Sequence, residues 1–481
     1  MSTPFSAPLP PGAVHHGDSA PPASNSGEKV SPLEKAAIGA GSLVDNLGGT
    51  AVHQLANPVY NILLGVNPAV IGAILAVGRL IDAVLDPAIG NFSDNFRSRF
   101  GRRRPLIAIG AMVTGPLFLL MFFCPSGWSS TAYSIYFSVT VLLFYIGFTF
   151  YTVPLKGLQY EMTADYHERT RVSAIAAVVM PLGGILSSWL FAVSQWSGFG
   201  DPITGVRYTA LIVLVVFAGL GIVPALLVKE RSYHRVQNQS KVPLIKNLAA
   251  LVRNRPLMLI SAAGLATLVG IFTVYSLGLY LNIYYVHAGD VKTASVLHGS
   301  ITTAYQLASM AAAPVIGRLA TRFGKRQAFI MCLTVALTGS VAKWFCYVPG
   351  SPMLMFIPMI LMGVGMSGFW VLTASMMADI TDYAELKQGF RNEATVGAVF
   401  MWIFKTGLSV AFLISGFVLV AVGFDEKLGG QQSDGTLLWM RLLFSFVPAV
   451  ALAIAAVCIW LYPITEEHSR ETQRLLKLRQ A

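Results

Sequence analysis

The chain has 481 residues, of which 54% are hydrophobic and 12% charged, and its mean hydropathy is +0.62. So few charges cannot cover that much apolar side chain in water, which argues against a soluble enzyme, a nucleic-acid-binding protein or a disordered regulator. The net charge of +11 must therefore be explained by where the basic residues lie. The four cysteines are scattered through apolar segments and indicate neither disulfides nor a metal site.

Residues 1–34 differ in composition from the rest of the chain. They are rich in proline, serine, alanine and glycine, and they lack the basic start and short apolar run of a cleavable signal peptide. Such a segment cannot build a hydrophobic core, so we predict a disordered tail.

Apolar segments long enough to cross a bilayer recur from Ala36 onward, each followed by a short polar or basic turn. Several exceed the roughly 20 residues that a span needs, so we expect tilted or broken helices among them. We predict an all-α membrane protein with twelve spans, at residues 36–63, 69–91, 105–124, 131–155, 172–194, 207–228, 257–286, 295–317, 328–348, 352–378, 393–423 and 437–462.

The basic residues lie on one side of these predicted helices. If both termini are cytoplasmic, 27 of the 34 lysines and arginines fall in inner loops and tails, and only Arg207, Lys292 and Lys427 fall in outer loops. This asymmetry predicts that both termini face the cytoplasm, and it explains the positive charge without nucleic acid. The basic stretch 229–255 is then a cytoplasmic linker between six-helix bundles at 35–228 and 256–463, and residues 464–481 form a cytoplasmic tail.

The two halves repeat one another. Pro87-Ala-Ile-Gly90 leads to Phe100-Gly-Arg-Arg103, and Pro314-Val-Ile-Gly317 leads to Phe323-Gly-Lys-Arg326. A duplicated six-helix unit with basic loops after helices 2 and 8 resembles the major facilitator superfamily. That resemblance implies a substrate site between the halves, near the middle of the bilayer, and transport by rocking of one half against the other.

Charged residues inside predicted spans are the strongest functional signal. Each costs about 2.5–3.5 kcal/mol at a helix centre, so it persists for a reason. Arg79, Asp82 and Asp86 are spaced by three and four residues and therefore share one face of the second helix. The matching positions in the second half are uncharged, which favours a cation site over a structural salt bridge, although the latter stays open.

Lys405 interrupts the apolar run of the eleventh helix and is the natural counter-charge. It either replaces the cation in an empty site or pins two helices together. Asp45 lies in the first helix, and Lys156, at the cytoplasmic end of the fourth, either faces the cavity or extends to the membrane surface.

Three motifs resemble one branch of this superfamily, the glycoside–pentoside–hexuronide:cation symporters. Arg79-Leu-Ile-Asp-Ala-Val-Leu-Asp-Pro87 resembles the family's helix 2 signature, and Glu161-Met-Thr-Ala-Asp-Tyr-His-Glu-Arg-Thr-Arg171 resembles its loop after helix 4. Ala378-Asp-Ile-Thr-Asp-Tyr-Ala-Glu385, with Arg391-Asn-Glu393, resembles its loop after helix 10. The resemblance runs from the first to the twelfth helix.

The resemblance implies symport of a sugar or glycoside with H⁺, Na⁺ or Li⁺, without a bound cofactor. It assigns cation coupling to Asp82, Asp86 and Lys405, with Thr152 where the family has a helix 4 aspartate, and any metal would be Na⁺ at the two aspartates. It assigns substrate contacts to Trp370 and Asn46, or to Asp45 if the helix slips by one residue. It implies a cytoplasmic gate made by Glu161, Asp165, Arg169, Arg171, Asp379, Asp382, Arg391 and Glu393.

The sequence departs from the melibiose branch at several sugar-contacting positions. Lys156 stands where the family has a tryptophan, alanines stand near its helix 5 arginine, and Phe400 and Met401 replace polar residues. Galactoside binding in the melibiose manner is therefore not expected, because sugar hydroxyls need dense polar partners. Lys156 in the cavity favours an acidic sugar such as a hexuronide. We expect Arg79 to tune the charge of the two aspartates and to lie, like Lys156, among the residues that bind substrate. The small number of acids favours H⁺ slightly over Na⁺.

We therefore predict a monomeric, multi-pass symporter of the cytoplasmic membrane that binds a sugar or glycoside. Three alternatives stay open: a carrier of lipid-like amphipathic substrates, a relative of proton-coupled sucrose carriers, and a sensor that binds sugar without moving it. The buried acids argue against the sensor, because a receptor gains nothing from a cation site. The sequence contains no catalytic constellation, so an enzyme is not expected.

Overall fold

The computed structural model describes residues 30–163, 165–230, 254–388 and 393–480, and every regular element in these ranges is a helix. Residues 1–29 of the predicted tail therefore lie outside the described residues. The helices, labelled in chain order, are α1 (Pro32–Ala56), α2 (Pro68–Asn95), α3 (Arg104–Phe122), α4 (Ser130–Glu161), α5 (Tyr166–Ser194), α6 (Pro202–Val216), α7 (Arg255–Thr273), α8 (Val291–Phe323), α9 (Lys325–Cys346), α10 (Phe356–Gln388), α11 (Glu393–Ala421), α12 (Asp434–Trp460) and α13 (Glu466–Gln480).

Three of the spans are broken helices, and they are not the longest ones. The first, α1, continues as a π-helical segment, Asn57–Leu63. The sixth, α6, continues through the π-helical Phe217–Gly221 into a short helix, Val223–Leu227. The seventh, α7, continues through a short helix, Leu277–Leu281, into the π-helical Asn282–Val286. Short 3₁₀ turns precede α6, α10 and α12, at Ser197–Phe199, Pro352–Met355 and Glu426–Leu428.

Twelve helices cover the predicted spans, and ten of the described spans are both long and apolar enough to cross a membrane on composition alone. The two others, α1 and α8, are long enough but more polar. Their polar residues include Asp45 and Asn46 in α1 and Gln306 in α8. These side chains face other helices instead of lipid, which is why a hydropathy threshold undervalues both spans.

Both predicted terminal tails contribute to helices. Ser31 and Glu34 form a capping box at the start of α1, with Pro32 in its first turn, so the helix begins inside the segment predicted as disordered. At the other end, α13 packs on α10, and Leu476 and Thr472 are buried. The C-terminal tail therefore contains a helix with one buried face, which no run of apolar residues marks in the sequence.

The helices form two halves, α1–α6 and α7–α12, whose main mutual contacts are the helix pairs α2–α11 and α5–α8. Because consecutive spans alternate in direction, the molecule has two faces. The terminal face carries the start of α1, the α2–α3 turn and the end of α12. The distal face carries the α1–α2 and α11–α12 turns.

The hydrophobic core is continuous between the halves only toward the distal face. One buried cluster joins α1–α6 to the distal ends of α7, α8, α11 and α12. A second cluster contains many of the other buried apolar residues of α7–α12, toward the terminal face, and is separate from the first. The described conformation is therefore packed shut at the distal face and divided at the terminal face.

Close backbone approach seals the α2–α11 contact near the distal face. A Cβ atom on Gly72 would lie 2.7 Å from the Phe412 carbonyl oxygen, and one on Gly416 would lie 2.4 Å from the Pro68 carbonyl oxygen. Both distances are shorter than side chains tolerate, so glycine is required on both helices. A hydrogen bond from the Tyr280 hydroxyl to Asn61 Oδ1, at 2.7 Å, also joins the halves.

Candidate functional site

Four charged side chains meet where α2 faces α11, and we call Arg79, Asp82, Asp86 and Lys405 the charged cluster. Lys405 Nζ lies 2.9 Å from Asp82 Oδ2 and 2.6 Å from Asp86 Oδ2. Arg79 Nη1 lies 3.6 Å from Asp82 Oδ2. The lysine comes from one half and the aspartates from the other, so the cluster joins the two halves of the molecule.

The local sequence explains why these groups can meet. On α2, spacings of three and four residues turn Arg79, Asp82 and Asp86 to one side. On α11, Ser409 lies one turn beyond Lys405, and its hydroxyl donates to the Ala76 carbonyl oxygen at 2.7 Å. This bond sets the height of α11 against α2, and it thereby holds Lys405 level with the carboxylates.

Arg79 is held by several groups of its own half. Its Nη2 donates to the Gly49 carbonyl oxygen of α1 at 2.5 Å. Its guanidinium also lies over the Tyr145 ring, 5.0 Å from the centroid. Arg79 is therefore fixed beside Asp82 within its own half. Of the two basic partners of the aspartates, Lys405 is the one that a movement between the halves would remove.

The α4 hydroxyl that contacts the cluster belongs to Thr149. Its Oγ1 donates to Asp82 Oδ1 at 2.9 Å. The family resemblance points to Thr152 instead, which is buried one turn further along α4. Thr149 and Thr152 share a helix face, so spacing alone could have suggested both, but only the packing of α4 on α2 separates them.

The two aspartates differ in their surroundings. Asp82 is 2% exposed, whereas the Asp86 side chain is 32% exposed. Among the described residues, Asp86 Oδ1 is a buried atom without a hydrogen-bond partner. The oxygens of Asp82, Asp86 and Thr149 could supply part of the coordination of a small cation, whereas a proton needs only one carboxylate oxygen. No group of three or more histidine, cysteine or acidic side chains suited to a transition metal occurs in the described part of the chain.

The predicted substrate residues lie on helices that surround the space between the halves. Lys156 Nζ is 3.7 Å from Asp45 Oδ2, and the lysine side chain is 58% exposed. Asn46 Oδ1 is buried and lacks a hydrogen-bond partner among the described residues. Together they place a cation, an anion and an amide on α1 and α4.

Trp370 supplies an aromatic surface from the other half. It is 48% exposed, and its ring contacts Phe369 and Phe404 with centroid distances of 5.3 and 5.5 Å. Phe404 precedes Lys405 in the chain, so the packing of Trp370 is linked directly to the position of the lysine.

The predicted gate residues of the first half form ion pairs and a helix cap. Glu161 lies 2.7 Å from Arg102 and 2.8 Å from Arg103. Asp165 Oδ1 accepts from the Glu168 amide at 2.7 Å and caps α5. Two further gate residues of this half are bonded locally: Arg169 donates to the Thr163 carbonyl oxygen at 3.3 Å, and Arg171 pairs with Glu168.

In the second half, Asp379 Oδ2 lies 2.7 Å from Lys325 Nζ. Asp382 is half-buried near the end of α10. Arg391 lies outside the described residues, and Glu393 is described only as the first residue of α11. The ion pairs described here for Glu161, Arg171 and Asp379 join groups of the same half, which agrees with a division at the terminal face.

Comparison with known proteins identifies the relatives of this architecture. The chain matches the sequence profile of the family described as MFS/sugar transport protein over residues 37–466. It is 25% identical to the glucuronide carrier protein homolog of Escherichia coli strain K12, covering 86% of this chain and 88% of the relative. It is 26% identical to the isoprimeverose transporter of Lactiplantibacillus pentosus, covering 87% and 86%, respectively. A putative glycoside/cation symporter of Escherichia coli strain K12 is also 26% identical, covering 87% and 88%.

Solved structures share the fold at lower identity. A bacterial homolog of the human lysosomal transporter Spinster, in an inward-facing and unoccupied conformation, matches with a TM-score of 0.66 and 14% identity, covering 92% of this chain and 98% of that chain. The xylose transporter XylE from Escherichia coli matches with a TM-score of 0.61 and 11% identity, covering 90% and 98%. These likenesses show that the solved structures share the fold of this chain, and the family match over residues 37–466 identifies it as the twelve-helix major facilitator fold.

Proposed function

The chain belongs to the MFS/sugar transport protein family, and from that premise we propose that it is a secondary symporter that moves a sugar, glycoside or hexuronide with H⁺ or Na⁺ by alternating access. The observation that carries the proposal is the contact of Lys405 with both Asp82 and Asp86 across the two halves. A cation that binds the aspartates must compete with this lysine, so ion binding changes a contact that joins the halves.

We place the protein in the cytoplasmic membrane with the terminal face and both termini in the cytoplasm. Support comes from the concentration of lysine and arginine in the loops and tails of that face. In this orientation the described conformation is open toward the cytoplasm. The two six-helix halves at 35–228 and 256–463 would move against each other, joined by the linker at 229–255.

Charge balance supports coupling. Arg79 and Lys405 neutralise Asp82 and Asp86, and Lys156 neutralises Asp45, so the empty site has no net charge. Binding of H⁺ or Na⁺ alone would leave one positive charge in a low-dielectric space, which opposes closure around it. Binding of an anionic substrate as well would restore neutrality. The empty and fully loaded forms would then be the two that can change conformation, as symport requires.

This argument favours a hexuronide or another acidic sugar over a neutral glycoside. Lys156, freed from Asp45, would pair with the substrate carboxylate, and Asn46 would bind a hydroxyl. Trp370 would pack on the C–H face of the sugar ring. The similarity to a glucuronide carrier homolog is consistent with this substrate class.

The coupling ion is proposed as H⁺, with Na⁺ as the alternative. A proton needs one carboxylate oxygen, and the unpartnered Asp86 Oδ1 is such an atom. Sodium would need additional oxygens beyond those of Asp82, Asp86 and Thr149. The gate residues would exchange their pairs within each half for pairs between the halves when the cytoplasmic side closes.

Uptake into proteoliposomes tests the proposal. Labelled glucuronides and neutral glycosides would be offered under an imposed H⁺ gradient or an imposed Na⁺ gradient, in separate experiments. We expect accumulation of the acidic sugar with one of the two gradients. Asp82→Asn and Asp86→Asn should abolish accumulation, and Trp370→Ala should raise the KM at least about tenfold, because a stacked aromatic ring is lost.

Glu467→Gln is the matched control, since it removes an acid of α13 far along the chain from the charged cluster. It should leave accumulation unchanged. Uptake of neutral glycosides but not of uronides would refute the acidic substrate. Binding without accumulation under either gradient would refute symport and support a sensor.

A further inference from the structure

The turn between α2 and α3 is held by a carboxylate from the chain segment that follows α6. Glu230 accepts hydrogen bonds from the backbone amides of Arg102, Arg103 and Arg104 at 2.9, 2.8 and 2.9 Å. Gly101 has φ +107°, and a Cβ atom there would lie 2.8 Å from Glu230 Oε1. Glycine therefore opens the space for the carboxylate, and we call this arrangement the Glu230 clasp.

Further acids bind the same turn through its side chains. Asp94 lies 2.8 Å from Arg103, and Glu161 contacts both Arg102 and Arg103. Three carboxylates from three segments thus hold the α2–α3 turn of the first half. Charge-assisted bonds of this kind are the stronger class of hydrogen bond, so the turn is firmly fixed.

The second half repeats the turn in sequence but not in bonding. Phe323-Gly-Lys-Arg-Gln327 corresponds to Phe100-Gly-Arg-Arg-Arg104, and Gly324 also has a positive φ, +79°. In the described ranges, no side chain caps the start of α9 or accepts from the amides of residues 325–327. Lys325 Nζ pairs with Asp379 at 2.7 Å. This turn therefore has donors for a carboxylate and, in this conformation, no carboxylate on them.

Glu466 lies beside those donors. It comes shortly after α12, as Glu230 comes shortly after the helix Val223–Leu227 that ends the sixth span. Its Oε2 would be 3.5 Å from a Cβ atom on Gly324. Its carboxylate instead pairs with Arg470, one turn along α13, and both side chains are largely exposed. An exposed pair of this kind contributes little stability, whereas several amides at a helix N-terminus bind a carboxylate well.

The space between the two positions is open. A cavity of about 930 Å³ lies among the α8–α9 turn, α10, the end of α12 and α13, and Gly324, Lys325 and Glu466 all line it. The Tyr462 side chain lines it too, and its buried hydroxyl has no hydrogen-bond partner among the described residues. The cavity gives Glu466 room to change partners without displacing the helices.

A hydrogen bond sets the present position of α13. Ser469 Oγ donates to Asp379 Oδ1 at 3.0 Å, so the acid that holds Lys325 also holds α13. Any movement that draws Asp379 away releases both Lys325 and Ser469. The α8–α9 turn would then lose its bonded carboxylate at the moment when α13 becomes free to shift.

We propose that the amides of Lys325, Arg326 and Gln327 are a second carboxylate-binding site, and that its ligand is Glu466 of the same chain. When the distal face opens and Asp379 is drawn into the gate, Glu466 leaves Arg470 and binds these amides. The resulting arrangement is like the Glu230 clasp. That Glu466 binds in the distal-open conformation rests on the proposed alternating access. The existence of the carboxylate-binding site does not depend on that proposal.

Hydrogen exchange of individual amides tests this without knowledge of the substrate. In lipid nanodiscs, Arg470→Ala frees Glu466 and should slow exchange at residues 325–327 by about tenfold, as expected for bonds to a charged acceptor. Gly72→Trp, which wedges α2 from α11, should slow the same amides. Glu466→Gln should remove both effects, and Glu467→Gln, the matched control in the same cavity, should remove neither. Glu230→Gln should speed exchange only at residues 102–104.

The outcomes separate the possible ligands. If the amide exchange rates of residues 325–327 in the Arg470→Ala protein do not change when Glu466→Gln is added, the assignment of Glu466 as the ligand is wrong. Protection that survives Glu466→Gln and appears only with anionic phospholipid or added phosphate assigns the amides to an external anion instead. Slowing by Arg470→Ala without slowing by Gly72→Trp refutes only the link to the distal-open conformation. Each of these results leaves the uptake experiment, and hence the proposed symport, untouched.

Discussion

Replacing Lys405 by methionine removes the positive charge that links the halves and keeps the side chain long and flexible. Lys405 Nζ lies 2.9 and 2.6 Å from the carboxylates of Asp82 and Asp86. In the variant, Arg79 at 3.6 Å would be the remaining described ion partner of Asp82, and Asp86 would have none. Two carboxylates would then face each other in a largely buried position.

The expected cost follows from this geometry. Removing one partner of a buried ion pair destabilises a protein by about 3–5 kcal/mol, because the remaining charge is uncompensated. A cation that binds the two aspartates in place of the lost lysine should recover much of this. At a concentration of one hundred times its Kd, a ligand stabilises by about 2.7 kcal/mol. Protonation of a carboxylate at low pH removes the repulsion as well, so the variant should gain stability as the pH falls, whereas the native Lys405 pairs weaken.

The assay is thermal unfolding of purified protein, followed by the fluorescence of its eight tryptophans. Na⁺ would be compared with choline at constant ionic strength, across a pH series. Lys343→Met is the matched control. Lys343 is 4% exposed, and its Nζ lies 4.1 Å from the centroid of the Phe444 ring, and no carboxylate pairs with it among the described residues. Its replacement removes a buried charge that has no described carboxylate partner to leave uncompensated, so it should create no dependence of stability on Na⁺ or on acid.

The result that refutes this reasoning is a Lys405→Met protein that behaves like Lys343→Met. Loss of stability without any response to Na⁺ or to pH would mean that the aspartates bind neither cation, and that Lys405 only pins two helices together. A response to acid alone would assign the coupling ion as H⁺. A response to Na⁺ at neutral pH would assign it as Na⁺ and overturn the preference for a proton.

Two further predictions concern the walls of the site and the seal of the distal face. Thr149→Val removes the hydroxyl that donates to Asp82, and it should weaken cation-dependent uptake about tenfold, as expected for a hydrogen bond to a charged group. Thr152→Val should have a smaller effect, and equal effects of the two substitutions would favour Thr152, the residue assigned from the sequence. Gly72→Trp should make the thiol introduced by Ser409→Cys reactive from the distal side, because the α2–α11 contact leaves no room for a side chain at Gly72. Gly219→Trp is the control and should leave that thiol unreactive, because a Cβ atom at Gly219 meets nothing within 4 Å. A thiol that is unreactive in both proteins would contradict the described seal.

The sequence predicted the architecture well because its signals are local. A span is a run of apolar residues between polar turns, and the bounds of the observed helices differ from the predicted spans mainly at their polar ends, where helices extend beyond the apolar run, as α4 and α10 do. The repeat, the basic asymmetry and the shared face of Asp82 and Asp86 are likewise properties of residue order and helical period. Helices with polar faces, such as α13, were overlooked because a run of apolar residues does not mark them.

The contacts of the site were decided by tertiary structure. The sequence placed Lys405 on the eleventh helix, but only the height and rotation of α11 against α2 bring its amine to both carboxylates. The same packing chooses Thr149 over Thr152 as the hydroxyl on Asp82.

The difference between the two repeated turns also belongs to the tertiary structure. Similar residues follow Gly101 and Gly324, yet Glu230 binds the first set of amides and Glu466 lies beside the second. Residue order determines which groups each helix offers and on which face. Which of them meet depends on how distant helices slide and turn against one another, and that is set by packing over the whole molecule.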